Sequence, residues 1–275
     1  MKLYANNKRL DLSVPQIMGI LNFTPDSFSD SGRFFSLDKA LFQAEKMLKE
    51  GATIIDIGGE STRPMADDVS EEEELRRVVP LVEAVRKRFD CWISLDTSKA
   101  RVMREAANVG MDLINDIRAL REPNALSTAA ELNLPTCIMH MQGQPRTMQT
   151  NPQYNDVVQD VLAFLHKRSE ECITAGVKKE NLIWDMGFGF GKTVWHNYKL
   201  LQQLNAFCED GYPVLAGLSR KSMIGAVLDK SVEERVVGSV TGALIAVQKG
   251  AKILRVHDVA ATSDALHVWQ ATENA

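Results

Sequence analysis

The sequence predicts an α/β protein of the (β/α)8 TIM-barrel class, a single domain over residues 1–275 with a short N-terminal hairpin. Eight short apolar runs occur along the chain, and each is followed by a segment with helical periodicity or good helix formers. This alternation implies parallel strands joined by right-handed crossovers. A length of 275 residues also suits a barrel of this kind. A doubly wound open sheet is the alternative architecture.

The expected strands are short and follow one another at regular intervals. The hairpin pairs residues 3–5 with residues 10–12 across the turn-prone Asn6 and Asn7. The barrel strands are expected at residues 16–21, 53–57, 92–95, 112–114, 136–139, 182–185, 214–218 and 252–256.

Several of the intervening helices have residues that favour defined ends. Ser70 and Glu73 have the spacing of a capping box, with acidic residues in the first turn and basic residues in the last. Ser36 and Ser231 are expected to begin two further helices, and residues 155–175 are expected to form the longest one.

Composition excludes several classes of protein. The net charge of −4 provides no basic field, so a nucleic-acid partner is not expected. No apolar stretch approaches the roughly 20 residues of a membrane span, and the N-terminus lacks the apolar core of a signal peptide. The four cysteines are widely spaced, so we expect reduced thiols and a cytoplasmic location.

Polar residues stand at the carboxyl ends of the predicted strands, where a barrel of this class carries its active site. The opposite strand ends are mostly apolar or proline, and this asymmetry indicates the functional face. In chain order the polar residues are Asn22, Asp56, Asp96, Asn115, Asp116, His140, Asp185, Ser219, Arg220, Lys221, Arg255 and His257. Arg255 and His257 are expected to share one face of the last strand, a pairing that suits a phosphate-bearing ligand.

The residue types divide this predicted site into two parts. Asp96, Asn115 and Asp185 are hydrogen-bond acceptors that suit the N–H groups of a flat heterocycle. The cations that suit phosphate and carboxylate are Arg63, Arg220, Lys221, Arg255 and His257. No His pair or His–Cys cluster has zinc spacing, so any metal is expected to be a hard cation such as Mg²⁺, held by oxygen ligands and substrate phosphates.

Two motifs resemble other kinds of site without matching them. The glycine-rich stretch 187–191 lacks the spacing of a P-loop or of a dinucleotide-binding turn. We interpret it as a sharp turn that places Phe188 and Phe190 at the mouth of the barrel. Ser219 and His257 resemble part of a hydrolase triad, but the Gly-x-Ser-x-Gly motif is absent.

Eight short motifs together resemble, in the same order and along nearly the whole chain, those of the bacterial dihydropteroate synthases, which are pterin-binding enzymes. They are MGILNFTPDSFSD at 18–30, GGESTRP at 58–64, SLDTS at 94–98, NDI at 115–117, MHMQ at 139–142, GFGFGK at 187–192, SRKS at 219–222 and RVHD at 255–258. The resemblance implies a (β/α)8 barrel and a homodimer. It also implies a Mg²⁺-assisted condensation of (7,8-dihydropterin-6-yl)methyl diphosphate with 4-aminobenzoate. Diphosphate leaves early in this reaction, and the arylamine captures the cationic methylene.

The resemblance also implies roles for individual residues. Arg255, His257 and Lys221 are implied to be catalytic, and Asn22 is implied to lie at the metal–diphosphate end. The implied pterin ligands are Asp96, Asn115, Asp185 and Lys221, with Arg255 against the pterin. The implied border of the aminobenzoate pocket is Thr62, Pro64, Phe190, Lys221 and Ser222. Further implied substrate contacts are Phe28 and Arg63, on the loops 24–35 and 63–69 that close over the site, and Met139, Gly217, Arg220 and His257.

Two alternatives share features with this interpretation. Methyltetrahydrofolate–corrinoid methyltransferases have a similar barrel and pterin site, but the motifs at 219–222 and 255–258 favour a diphosphate leaving group. A non-catalytic pterin-binding paralogue is the other alternative, and the presence of Lys221, Arg255 and His257 argues against it. Departures from the family pattern leave sulfonamide affinity open because they lie near the pocket loops. They are Phe23, Ser31, Met65 and Met186.

Overall fold

A computed structural model describes residues 1–24, 33–60, 69–143, 148 and 151–275, with the side chains of residues 33–36 left out. The strands are β1 Lys2–Ala5, β2 Lys8–Asp11, β3 Gln16–Asn22, β4 Ile54–Gly58, β5 Trp92–Asp96, β6 Leu113–Asp116, β7 Thr136–Met139, β8 Leu182–Asp185, β9 Val214–Ala216 and β10 Ile253–Val256. The helices are α1 Arg33–Lys49, α2 Glu71–Arg88, α3 Ala100–Asn108, α4 Ala125–Leu132, α5 Val157–Thr174, α6 Val194–Gln202, α7 Ser222–Leu228, α8 Val236–Gln248 and α9 Val259–Glu273.

Strands β3 to β10 form a closed, all-parallel barrel. Each strand pairs with the next, and β10 pairs with β3 through the partners Ile253 and Gln16. Because β10 pairs with both β3 and β9, the sheet has no free edge. The predicted (β/α)8 barrel is therefore confirmed, and the doubly wound open sheet is excluded.

The strands are buried because side chains fill the barrel and helices cover it. Every residue of β4, β5, β6, β7 and β8 is buried. Strands covered on both faces appear in a sequence as short continuous apolar runs. The predicted bounds of β7 and β8 are correct at both ends, and each of the other predicted strand bounds is correct or differs by at most two residues.

The helix starts differ more from the prediction. Ser70 caps α2 as predicted, because its side chain accepts a hydrogen bond from the backbone N–H of Glu73. However, α1 already begins at Arg33, so Ser36 lies inside its first turn. Ser231 caps the 3₁₀ turn Val232–Glu234, and α8 begins only at Val236. Within the described ranges, no helix has the length and apolarity needed to cross a bilayer.

The N-terminal hairpin lies against the amino-terminal end of the barrel. It consists of β1 and β2, which pair antiparallel. Asn6 Nδ2 donates to the carbonyl of Met111 at 2.9 Å and to Asp112 Oδ1 at 3.0 Å. The fully buried Asp112 carboxylate also accepts from Arg86 and from the backbone N–H of Ile93. This carboxylate therefore joins the hairpin, α2 and β5 at the amino-terminal end of the barrel, which we call the barrel floor.

Asp112→Asn is expected to lower the free energy of unfolding by about 3 kcal/mol, because it leaves the Arg86 guanidinium without its buried counter-charge. Urea unfolding measures this change. The control is Arg104→Ala, which removes an exposed ion pair with Glu131 and should cost less than about 1 kcal/mol. Equal losses in the two variants would contradict a structural role for the barrel floor.

Candidate active site

An ionic network occupies the interior of the barrel near the carboxyl ends of its strands. Arg255 Nε donates to Asp56 Oδ2 at 2.6 Å, and Arg255 Nη2 donates to Asp96 Oδ2 at 2.8 Å. Arg255 is on β10 and Asp56 is on β4, and β3 lies between these strands. The contact must therefore cross the interior of the barrel.

Asp56 organises this network, a role that the sequence did not reveal. Its side chain is fully buried and also accepts from Ser94 Oγ at 2.5 Å and from Asn115 Nδ2 at 3.3 Å. Because the amide nitrogen of Asn115 is directed at Asp56, the Asn115 amide oxygen remains available as an acceptor. Its place among the polar strand ends indicated a site residue, but no local pattern indicated its partners or its role.

Several titratable groups in the site have pKa values moved by burial. Burial raises the pKa of Asp96 to about 7, Asp56 adds to the rise, and Arg255 opposes it. Burial also raises the pKa of Asp185, where Lys221 opposes the rise. Burial lowers the pKa of Lys221 to about 8, against the attraction of Asp185. Such shifts in one cleft are typical of a functional site.

The raised pKa of Asp96 predicts a pH dependence of stability. Its pKa is about 7 in the folded chain against an ordinary value of 3.8, so folding takes up a proton between these values. The stability contributed by this carboxyl is complete below 3.8 and is lost as the pH rises to about 7. The Tm of wild type should therefore fall relative to that of Asp96→Asn between about pH 4 and about pH 7. A relative rise would show that pairing with Arg255 outweighs burial.

A glycine-rich turn, residues 186–191, follows β8 and forms one wall of the site. Gly187 and Gly191 have positive φ angles of 68° and 63°, and a Cβ at either position would collide with the backbone carbonyl of His140 or Gln142. Only glycine allows this close approach. The predicted sharp turn is therefore present.

Side chains of this turn are divided between the core and the site. Phe188 is fully buried in the main core, so its predicted place at the mouth is wrong. Lys221 Nζ donates to the carbonyl of Phe188 and lies 4.6 Å from the ring centroid of Phe190. Asp185 Oδ1 accepts from the backbone N–H of Gly187 at 2.7 Å. The turn thus contacts Asp185 and Lys221 directly.

An apolar cluster, separate from the main core, lies beside Asp185. It comprises Ile117, Met139, Met141 and Met148, with Phe190 packed against it. Met139 pairs in register with Asp185, so the cluster lies near the acceptor residues. The sequence predicted Met139 and Phe190 as site residues. Ile117 and Met141 stand in the motifs at 115–117 and 139–142 without a predicted role, and nothing in the sequence indicated Met148.

The segment after β6 that carries Ile117 is held in an unusual conformation. Ala119 and Leu120 have positive φ angles of 53° and 60°. The buried carboxylate of Asp116 accepts from the backbone N–H of Leu120 at 2.7 Å, and Arg168 on α5 donates to the carbonyls of both residues. The surrounding side chains therefore stabilise a backbone that non-glycine residues rarely adopt.

The predicted cations occupy different surroundings. His257 is exposed, and its Nδ1 lies 3.1 Å from Ser219 Oγ. Arg220 donates to both carboxylate oxygens of Asp258, at 2.9 and 2.5 Å, so its charge is already paired. Arg255 is also paired, with Asp56 and Asp96, and is directed into the barrel. His257 is therefore the more accessible of the predicted pair at the end of β10.

Two small residues and one amide complete the described mouth. Gly217 lies between Asp185 and Arg255, because a Cβ at this position would be 3.8 Å from Asp185 Oδ2 and from Arg255 Cβ. Asn22 ends β3 and its Oδ1 lies beside Gly58. Ser222 begins α7 and is exposed.

Some predicted residues lie outside the described residues, and so do the greater parts of the two loops expected to close over the site. These residues are Phe28, Ser31, Thr62, Arg63, Pro64 and Met65. Met186 is fully buried in the main core, so this departure from the family pattern does not line the mouth. Among the residues the structure describes, no group of three or more His, Cys, Asp or Glu side chains has the arrangement of a metal site.

Comparison with known proteins agrees with this geometry. The model of the pterin-binding enzyme family matches residues 18–257. The chain is 83% identical over 275 residues to the dihydropteroate synthase of Haemophilus influenzae, with full coverage of both chains. It is 54% identical to that of Escherichia coli K12, covering 100% of this chain and 98% of the relative.

Comparison with solved structures also finds dihydropteroate synthases. The Yersinia pestis dihydropteroate synthase with a sulfonamide drug has a TM-score of 0.96, 55% identity and full coverage of both chains. The Xanthomonas albilineans dihydropteroate synthase in complex with 7,8-dihydropteroate has a TM-score of 0.92, 45% identity and full coverage of both.

The fold and the site thus define an enzyme that binds pterin, and the chain belongs to the pterin-binding enzyme family. Within that family it belongs to the dihydropteroate synthases. This result confirms the resemblance found in the sequence. It also favours the synthase over the methyltransferase alternative and the non-catalytic paralogue.

Proposed function

We propose that the residues gathered at the barrel mouth condense (7,8-dihydropterin-6-yl)methyl diphosphate with 4-aminobenzoate and release pyrophosphate. The observation that carries this proposal is the convergence of Asp96, Asn115, Asp185, Lys221 and Arg255 at the carboxyl ends of the barrel strands. The contacts described above engage one carboxylate oxygen of Asp96 and one of Asp185, and the second oxygen of each suits a ligand that supplies N–H donors.

The pterin ring fits between these acceptors and the apolar cluster. Asp96, Asn115 and Asp185 offer carboxylate and amide oxygens to its amino and ring N–H groups. Met139 and Phe190 provide an apolar surface, and methionine adapts readily to the shape of a flat ring. Gly217 keeps the space between Asp185 and Arg255 free of a side chain.

The diphosphate is assigned to the end of β10, where His257 is exposed and Arg255 is directed into the barrel. The C–O bond breaks with its electron pair going to diphosphate, the neutral arylamine attacks the methylene carbon, and the amine proton passes to water. Arg255 and His257 stabilise the negative charge that develops on the leaving group. No strong base is needed, because an arylamine is uncharged near neutral pH.

Mg²⁺ is the metal that suits this site. Asn22 offers an amide oxygen at the mouth, and the described residues supply no carboxylate cluster that would enclose an ion. Mg²⁺ commonly takes few protein ligands and fills its shell with substrate phosphates and water. When bound, it would neutralise charge on the diphosphate.

The aminobenzoate pocket is assigned to residues around Lys221. Phe190 and Ser222 flank this lysine in the described part of the site. The loop residues Thr62, Arg63, Pro64 and Phe28 are assigned to the pocket and its closure through the family resemblance alone. Arg220 is assigned a supporting place on the rim, where its pairing with Asp258 fixes it.

We further propose that the chain functions as a homodimer through an apolar patch on α7, α8 and the 3₁₀ turn between them. The side chains of Val227, Leu228, Val232 and Val237 are exposed, and Val237 is 74% exposed. The two helices pack closely, since a Cβ on Gly238 would lie 2.8 Å from Leu228 Cδ1. Exposed apolar patches of this kind commonly mark protein interfaces. Val237→Glu should give a monomer in analytical ultracentrifugation, and an unchanged dimer would reject this patch.

Residues 1–275 are proposed to form one domain that acts in the cytoplasm. The four free cysteines support this location, because the described structure buries three of them and forms no disulfide between any of the four.

A coupled assay of pyrophosphate release with both substrates tests the proposed reaction. We expect release that requires 4-aminobenzoate and Mg²⁺ and that stops when the metal is chelated. Binding of the pterin substrate without any pyrophosphate release would overturn the proposed reaction, and full activity after chelation would overturn the role of Mg²⁺.

A further inference from the structure

Lys192 is a buried cation that has no role in the reaction proposed above. Lys192 is only 3% exposed, and its Nζ lies 2.9 Å from His140 Nδ1, 2.9 Å from the Gly187 carbonyl, 3.1 Å from the Phe190 carbonyl and 3.3 Å from the His140 carbonyl. Every partner is an acceptor, and none of these four is a carboxylate. Burial lowers the pKa of His140 to about 2, so the imidazole is neutral and Nδ1 accepts from the ammonium.

These contacts join two segments that also meet through their backbones and through the packing of Phe190 against the apolar cluster that contains Met139 and Met141. His140 follows β7, whereas Gly187 and Phe190 belong to the glycine-rich turn after β8. The glycines bring the turn against the β7 end, and Lys192 Nζ donates to the carbonyls that this packing brings together. Burial lowers the pKa of Lys192 well below its ordinary value, and the carboxylate of Asp185 opposes this fall. Lys192 therefore fixes the position of the turn from its buried side.

The opposite side of the same turn holds substrate-binding groups. The Gly187 N–H donates to Asp185, the Phe188 carbonyl accepts from Lys221, and the Phe190 ring lies against Lys221 Nζ. A displacement of the turn would change all three contacts together. Misplacement of binding groups by about 1 Å typically costs large factors in rate or affinity.

We propose that Lys192 is a positioning residue for the pterin and aminobenzoate sites, acting through the turn 186–191 and not by touching either substrate. This inference rests on the roles proposed above for Asp185, Phe190 and Lys221. A guanidinium is planar and larger, so Lys192→Arg keeps the charge but cannot converge on the same four acceptors.

The test uses Lys192→Ala in the full-length protein, with calorimetry of a pterin analogue that lacks the diphosphate. We expect Kd to rise about tenfold, the size of one lost charge-assisted hydrogen bond. n-Propylammonium, which replaces the deleted atoms beyond Cβ, should restore part of the affinity, and 1-propanol should not.

The matched control is Lys8→Ala. Lys8 Nζ also donates to a buried carbonyl, that of Cys91 at 2.8 Å, but at the amino-terminal end of the barrel. Its removal should lower Tm and leave the Kd of the analogue unchanged. An unchanged Kd in folded Lys192→Ala, or equal rescue by 1-propanol and n-propylammonium, would overturn the proposal.

Lys192→Met, which keeps most of the packing volume, provides a second variant if the alanine variant does not fold. It should show the same loss of affinity and no rescue by n-propylammonium, and wild-type affinity would overturn the proposal. Failure of the wild-type protein to bind the analogue would instead reject the proposed pterin site, so the two failures are distinguishable.

Discussion

Arg255→Ala is expected to lower kcat for pyrophosphate release by at least about a hundredfold, the usual effect of removing a group that stabilises developing negative charge. The affinity for 4-aminobenzoate should fall much less, because Arg255 donates to Asp56 and Asp96, whereas the proposed aminobenzoate pocket lies around Lys221 and Phe190. Steady-state kinetics with both substrates varied separates these effects. An unchanged kcat would remove Arg255 from leaving-group stabilisation.

The same substitution should also destabilise the fold, because two buried carboxylates lose their cation. Breaking a buried pair costs about 3–5 kcal/mol. Arg255→Ala combined with Asp56→Asn should recover part of the stability and none of the turnover. Arg86→Ala is the matched control, since Arg86 also pairs with a fully buried aspartate, Asp112, at the other end of the barrel. It should lower Tm and leave kcat intact.

The double role of Arg255 shows what the sequence could and could not predict. Its position at a strand end indicated an anion-binding residue. Its partner Asp56 is 199 residues away in the chain, so no local pattern connects them. Closure of the barrel brings β10 and β4 to opposite sides of β3 and creates the contact. The residues of the site were thus predictable, and the ion pairs between them were not.

The fold was predictable for a physical reason. Parallel strands covered on both faces appear as apolar runs, and the runs at β7 and β8 gave the correct bounds. The starts of the helices were harder to predict, because a serine can cap a helix, cap a preceding 3₁₀ turn or lie in the first turn of a helix. Ser70, Ser231 and Ser36 show these three outcomes.

Loop conformation was the least predictable part of the site. Ala119 and Leu120 adopt left-handed backbone without a glycine nearby, and Arg168 holds them from 49 and 48 residues away. Phe188 and Phe190 are two residues apart in one motif, yet only Phe190 faces the site. Tertiary hydrogen bonds and packing determine these conformations, and neither produces a periodic pattern in a single sequence.

Asp185→Ala is expected to weaken binding of the pterin diphosphate by about 10- to 150-fold, which corresponds to the 1.5–3 kcal/mol of a hydrogen bond to a charged group. Oδ1 of Asp185 is already engaged by the Gly187 N–H at 2.7 Å. Oδ2 points towards the space beside Gly217, where a ligand N–H would meet it. The variant removes this acceptor and also the negative charge that faces Lys221.

Asp185→Asn tests more directly whether the pterin donates a hydrogen bond to Oδ2 of Asp185. Its amide oxygen can still accept from Gly187, which leaves the amide N–H₂ group at the position of Oδ2. A donor would then face the donor of the pterin, so this near-isosteric change should weaken binding at least as much as alanine does. The matched control is Asp112→Asn, the same chemical change at the barrel floor, which should reduce stability and leave the Kd unchanged. Calorimetry that finds full affinity in Asp185→Asn would show that the substrate does not donate to Oδ2, and Asp185 would then serve only to anchor the turn that follows β8.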